Sequence, residues 1–327
     1  MRRVMAGMAL AAILAGASGP PLTSSGKPLF TFRASLWMNL HHFLYVLGRQ
    51  RNGTPDSRRR AVANAPTDAA RIESGSAGER VAWERALAYY QKNVSTMDAI
   101  FDRDLTNITN ALAAAGDAPT LAAVDIPAEL RTALEGAAPV YRKFWWERHA
   151  EGDRARMHEV ESLLDRYGQP TSEIIRKAYR QDWPAEGLTV QMCAYANWAG
   201  AYSTAGRLIV VASCSEGQAG SEGLETVFHE AMHQWDDAMI PRLREIGERL
   251  NIDYPHELFH SLIFYTAGYA TARVVPGHHP YGDALWDRGL PGRAQLDRCW
   301  LPYLRGGGDL QAALVALVQA FGTDGLR

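Results

Sequence analysis

Two stretches of this chain carry the pattern H-E-x-x-H. The first, "GLETVFHEAMHQWDDAMI" at 223–240, holds His229, Glu230 and His233. The second, "PHELFHSLIF" at 255–264, holds His256, Glu257 and His260. On a helix, residues four apart share a face, so His229 and His233 can aim both imidazoles at one point. Val227, Phe228, Ala231, Met232 and Trp235 give that helix an apolar body for the interior. The chain has 10 His and 18 Glu in 327 residues, for which random placement yields roughly 0.02 copies of the pattern. Two copies 27 residues apart, both inside helical periodicity, point to chemistry rather than composition.

The chemistry that needs such a pair is metal binding. Zinc takes imidazole nitrogens at about 2.0–2.1 Å and leaves a position for water in catalytic sites. Glu230, one residue after the first His, is placed to take a proton from water that the ion has acidified. Two histidines need a further protein ligand. Glu257 lies 24 positions after His233, and His256 and His260 flank it. The interval has room for the end of the first helix, a turn at Pro241, a short second helix and a return at Pro255.

In this arrangement residues 205–285 resemble the gluzincin class of zinc metallopeptidases, which carry H-E-x-x-H on one helix and a glutamate ligand on a later one. The interval is similar to that of the helical peptidyl-dipeptidases related to angiotensin-converting enzyme, where the ligand glutamate also follows a His. The resemblance implies a zincin-like fold, Zn2+ bound by His229, His233 and Glu257, and Glu230 as catalytic base. His260 is the second candidate for the third ligand. Many gluzincins place an orienting Asp four residues after the ligand Glu; here that place is Ser261. Asp236 or Asp237, one turn after His233, is the expected substitute. Zincin-like enzymes also place an edge strand before the active-site helix to hold substrate, and "AGRLIVVASC" at 205–214 stands there. For the oxyanion the loop "PGHHPYGD" offers Tyr281 first and His279 next. His41, His42, His149 and His158 read as structural.

The rest of the chain sets the context. Arg2 and Arg3, an apolar run from Val4 to about Ala17 and small residues thereafter read as a signal peptide over 1–19. Residues 20–76 read as an N-terminal segment and linker, 77–184 as a helical region and 185–327 as the catalytic region. The expected fold class is α+β, predominantly helical, with a small β-sheet over 187–213 before the active-site helix. That helix is expected to start at Ser221 as N-cap and to run to 239, with further helices over 241–251, 256–272 and 309–321. Cys193 and Cys214 flank the strands and are the expected disulfide among three cysteines. The net charge of -2, with no long basic tract, gives no sign of a nucleic-acid partner.

These features together predict a secreted or periplasmic zinc metallopeptidase acting on peptides or proteins, with no stable membrane span after signal cleavage. Two other readings compete. "EAMH" and "ELFH" are each E-x-x-H, the element that di-iron carboxylate bundles use twice, with Glu84, Glu147, Glu159 and Glu173 as further carboxylates. A non-catalytic zinc-bearing binding protein is the other, although a structural ion would not require Glu230.

Overall fold

The computed structural model describes residues 19–55, 59–204, 207–306 and 308–323. All but the last residue of the predicted export signal lies outside them. Strand β1 (Phe30–Ala34) leads into the buried helix α1 (Leu36–Arg51). The short α2 (Ala65–Ala69) precedes α3 (Ala77–Asn93), α4 (Arg103–Ala115), α5 (Ala128–Tyr141), α6 (Glu147–Leu163) and α7 (Gln169–Tyr179). Strands β2 (Leu188–Cys193), β3 (Ala201–Thr204) and β4 (Leu208–Ala212) follow. The remainder is α8 (Gly220–Met232), α9 (Asp236–Leu250), α10 (Leu258–Val274), the short α11 (Asp283–Trp286), α12 (Arg293–Gln295) and α13 (Leu301–Leu304), and α14 (Leu310–Thr323).

The protein is therefore mainly helical with one small mixed sheet, as expected for α+β. The sheet order is β1-β2-β4-β3; β1, β2 and β4 run parallel and β3 pairs antiparallel with β4. Strand side chains alternate between faces, and here both faces are covered. Val190, Met192, Ile209 and Val211 pack with Leu224, Val227 and Phe228 of α8 and Leu262 and Ile263 of α10. Cys193, Val210 and Ala212 pack with Leu40, Phe43 and Leu44 of α1 and Trp83 and Tyr90 of α3. Two-sided burial explains why "LIVVA" is apolar throughout instead of alternating.

Within the N-terminal segment 20–76, Phe30 pairs with Leu188 and α1 is buried along most of its length. Two expectations change. The strand inside 205–214 is not an edge, since β4 lies between β2 and β3; the outer strand on that side is β3. Cys193 and Cys214 are both free. Strand alternation sends Cys193 into the α1 layer, 3.9 Å from His42 Nδ1, whereas Cys214 lies past the end of β4 at the surface.

Helix α6 closes one end of the sheet. Its Asp153 is fully buried, accepting from Ser213 Oγ at 2.6 Å and Asn39 Nδ2 at 2.7 Å. Asn39 Oδ1 in turn accepts from Ala194 N at 2.7 Å. Burial pushes the Asp153 carboxyl up to about 7, with the two hydrogen bonds pulling the other way. Among the described residues no helix is long and apolar enough to cross a membrane.

Candidate metal centre

Helix α8 is buried over all but its first three residues, from Gly223 to Met232. It starts after Ala219, so Ser221 is inside the helix and not its N-cap. It ends earlier than the sequence suggested, because His233–Trp235 forms a tight 3-10 turn before α9. Pro241 lies inside α9 and makes no turn. The tight turn has a chemical result: it brings Asp236 back onto His233, with both carboxylate oxygens 3.1 Å from Nδ1. Nδ1 is thereby engaged with a carboxylate, which leaves Nε2 to face the site. Of the two aspartates expected to do this, Asp236 is the one in place.

Three histidines converge. One ring nitrogen from each of His229, His233 and His260 lies within 4.8 Å of the others. His229 Nε2 and His260 Nε2 stand 3.1 Å apart. A tetrahedral ion with bonds of about 2.0–2.1 Å separates its ligands by roughly 3.4 Å, close to the 3.1 Å edge between His229 and His260. Phe264, one turn after His260, packs its ring 4.0 Å from that of His229 and 4.7 Å from that of His260. His229 is buried, His233 half-buried and His260 exposed, so the cluster opens to solvent along the His260 side.

The electrostatics favour neutral rings at His229 and His260 and the protonated ring at His233. Burial, then the neighbouring His260 and His233, holds the His229 pKa well below the usual imidazole range. Burial and His233 bring His260 to about 4. For His233 burial acts downward, but the Asp236 hydrogen bond and the charges of Glu230 and Asp236 outweigh it and raise the pKa. His229 Nδ1 is buried without a hydrogen-bond partner, so its ring is held by packing. Glu230 is buried next to the cluster. Burial raises its carboxyl pKa, against His233 and a hydrogen bond from Ser203 of β3, while Asp236 adds to the rise.

The second H-E-x-x-H is not a helical motif. Helix α10 begins only at Leu258, with Glu257 at its N-cap. His256 therefore lies before the helix with its side chain 91% exposed, and it pairs with Glu257 at 3.1 Å. Glu257 is turned toward that partner and is not among the converging ligands. This corrects the expected third ligand: the residue brought to His229 and His233 is His260, the second candidate. The converging donors are thus three imidazoles, not the two-His, one-Glu set of the gluzincin resemblance.

The other candidates sort as follows. Tyr281 stacks on Phe264 with centroids 6.1 Å apart, one ring removed from the imidazoles. His41 and His42 are buried against Tyr90 and Tyr202, and His149 against Tyr141 and Asp68, each with a hydrogen-bond partner. Glu84, Glu159 and Glu173 are engaged by Arg51, Arg156 and Arg176, so the di-iron reading gains no carboxylate from them.

Sequence reasoning missed a buried group beneath the histidines. Glu225 Oε2 lies 2.6 Å from His278 Nε2, and His278 Nδ1 lies 2.8 Å from Ser221 Oγ. The signal was present in part, because Ser221, Glu225 and His229 repeat every four residues and so share one face of α8. Compared with known proteins, the chain matches no family model, no curated protein and no solved structure.

Proposed function

We propose that this chain is an exported zinc-dependent hydrolase of peptide bonds, with His229, His233 and His260 holding the ion and Glu230 carrying the proton. The observation that supports it most is the convergence of three imidazole nitrogens within 4.8 Å, open to solvent, with Glu230 on the same helix. Catalytic zinc sites characteristically use three protein ligands and an open fourth position. A divalent ion in this cluster would acidify water and polarise a carbonyl. Glu230 would accept the proton of the attacking water and deliver it to the leaving amine. Its raised pKa suits both halves of that shuttle, and Ser203 fixes the carboxylate from β3. Asp236 orients His233.

The zincin-like reading draws support from the sheet. Its outer strand β3 runs antiparallel to β4 and reaches Glu230 through Ser203. An extended peptide added along β3 would carry its backbone past Glu230. Tyr281, behind Phe264, is the candidate to stabilise the oxyanion.

The test combines metal analysis with a broad peptide library. One zinc per chain is expected, with hydrolysis lost on chelation and restored by Zn2+. Glu230→Gln should keep the zinc and lower turnover by about 10²–10⁴-fold, the range for a lost general acid–base. Full activity in that variant removes Glu230 from the role.

A further inference from the structure

Helices α8 and α10 face one another as an antiparallel ladder with a rung every four residues. On the α8 side the positions are Ser221, Glu225 and His229, with His233 in the turn that follows; on α10 they are His260, Phe264 and Gly268. The first rungs are the histidine cluster and the Phe264 ring against His229. The next is unusual. The Glu225 side chain is 1% exposed, and a Cβ placed on Gly268 would lie 3.2 Å from its Oε1. The same Cβ would lie 2.7 Å from Pro280 Cβ. Gly268 thus leaves room for a carboxylate and a loop tip together.

Glu225 holds that loop at two points. The carboxylate accepts from Tyr281 N at 3.0 Å and pairs with His278 Nε2 at 2.6 Å. His278, its side chain also fully buried, reaches Ser221 through its other nitrogen. Tyr281, fixed by its own amide, stacks on Phe264, and Phe264 packs at a tilt against both His229 and His260. A buried carboxylate is costly unless paired and hydrogen-bonded. Here its bonds run to a loop whose next contact is the ring wall of the histidine cluster.

The geometry points to Glu225 as a positioning residue for the metal centre: by pinning His278 and Tyr281 and setting the α8–α10 separation at Gly268, it fixes the spacing between His229 and His260. This role rests on the metal reading above. Glu225 acts through Tyr281 and Phe264.

The experiment uses the full chain titrated with Co2+, followed by visible absorption, together with hydrogen exchange at the Tyr281 amide and thermal melts. In Glu225→Ala the Tyr281 amide should exchange faster, Co2+ affinity should fall about 10–100-fold, as for other outer partners of metal ligands, and the absorption bands should shift. Glu225→Gln keeps an acceptor for Tyr281 N and should restore affinity to within about threefold of wild type. If Glu225→Ala does not fold, Gly268→Ala decides, because its Cβ must displace Pro280; affinity should drop and the bands should move in the same direction. Folded variants with a freed Tyr281 amide but wild-type Co2+ affinity and absorption overturn the inference, leaving Glu225 as a loop tie only. A wild-type chain that takes up no Co2+ is a separate result: it removes the metal reading itself, and the positioning role with it.

Discussion

The histidines of α1 and those of the α8–α10 pair make an instructive contrast. Burial depresses imidazole pKa values in both places, His42 and His260 each to about 4, while Asp236 and Glu230 raise that of His233. What differs is where the ring nitrogens point. His41 Nδ1 is 2.8 Å from the Tyr90 hydroxyl, while His42 meets Met38 O and the Tyr202 hydroxyl. Each of these three nitrogens has a group with which it shares a proton, as buried polar atoms ordinarily do. In the other set His229 and His260 turn their Nε2 atoms toward each other, and His229 Nδ1 has no partner. Low pKa alone therefore does not single out the candidate metal cluster; the convergence of three ring nitrogens does.

The sharpest way to break this contrast is to remove one member of each set. His229→Ala or His260→Ala should weaken zinc binding by more than ~100-fold, beyond the 10–100-fold expected for losing an outer partner. His42→Phe should lower thermal stability and leave zinc affinity within about threefold of wild type. Equal loss of metal in both would show that the α1 histidines are not merely structural.

A smaller effect is expected at Asp236, whose loss leaves all three ligands in place. Asp236→Asn should reduce zinc affinity about 10–100-fold, as measured by competition with a chromophoric chelator. No change would mean that the His233 orientation is set by packing alone.

The closed end of the sheet supplies a pH test. The Asp153 carboxyl titrates near 7 in the folded chain, above its ordinary value near 3.8. The folded state then holds a proton that the unfolded state has lost, so stability falls as pH rises between those values. The loss from pH 4 to 8 is about 4 kcal/mol at most, for roughly three pK units on a buried group. Asp153→Asn should flatten that slope in denaturant titrations. A slope unchanged in the variant assigns it to other groups.

The smallest predicted effect concerns the thiols. Cys214 should react with a water-soluble thiol reagent in the native protein and Cys193 only after unfolding. Protection of both until reduction would restore the disulfide that the strands do not form.

The sequence revealed local features well. The repeats of α3 and α4, the shared helical face of His229 and His233, and an aspartate one turn beyond all follow from periodicity over a few residues. Three things did not. Strand β1 is five residues long and its partner is β2, with Phe30 opposite Leu188; nothing local announces a pairing so distant. The choice between Glu257 and His260 turned on where α10 begins, and starting at Leu258 leaves Glu257 at the cap beside His256. The Glu225–His278 pair joins residues 53 positions apart, and depends on Gly268 of a third segment leaving space.

The placement of β2 between β1 and β4 bears on how the polypeptide comes together during synthesis. A ribosome must deliver more than half of the chain before β1 meets its neighbour at Leu188, and β4 must follow before the motif helix has a surface to lie on. Such distant parallel pairing is intrinsically slow. Until then the nascent N-terminal half holds Phe30 and Phe32 without their sheet, so a chaperone that shields extended apolar segments would find its target there.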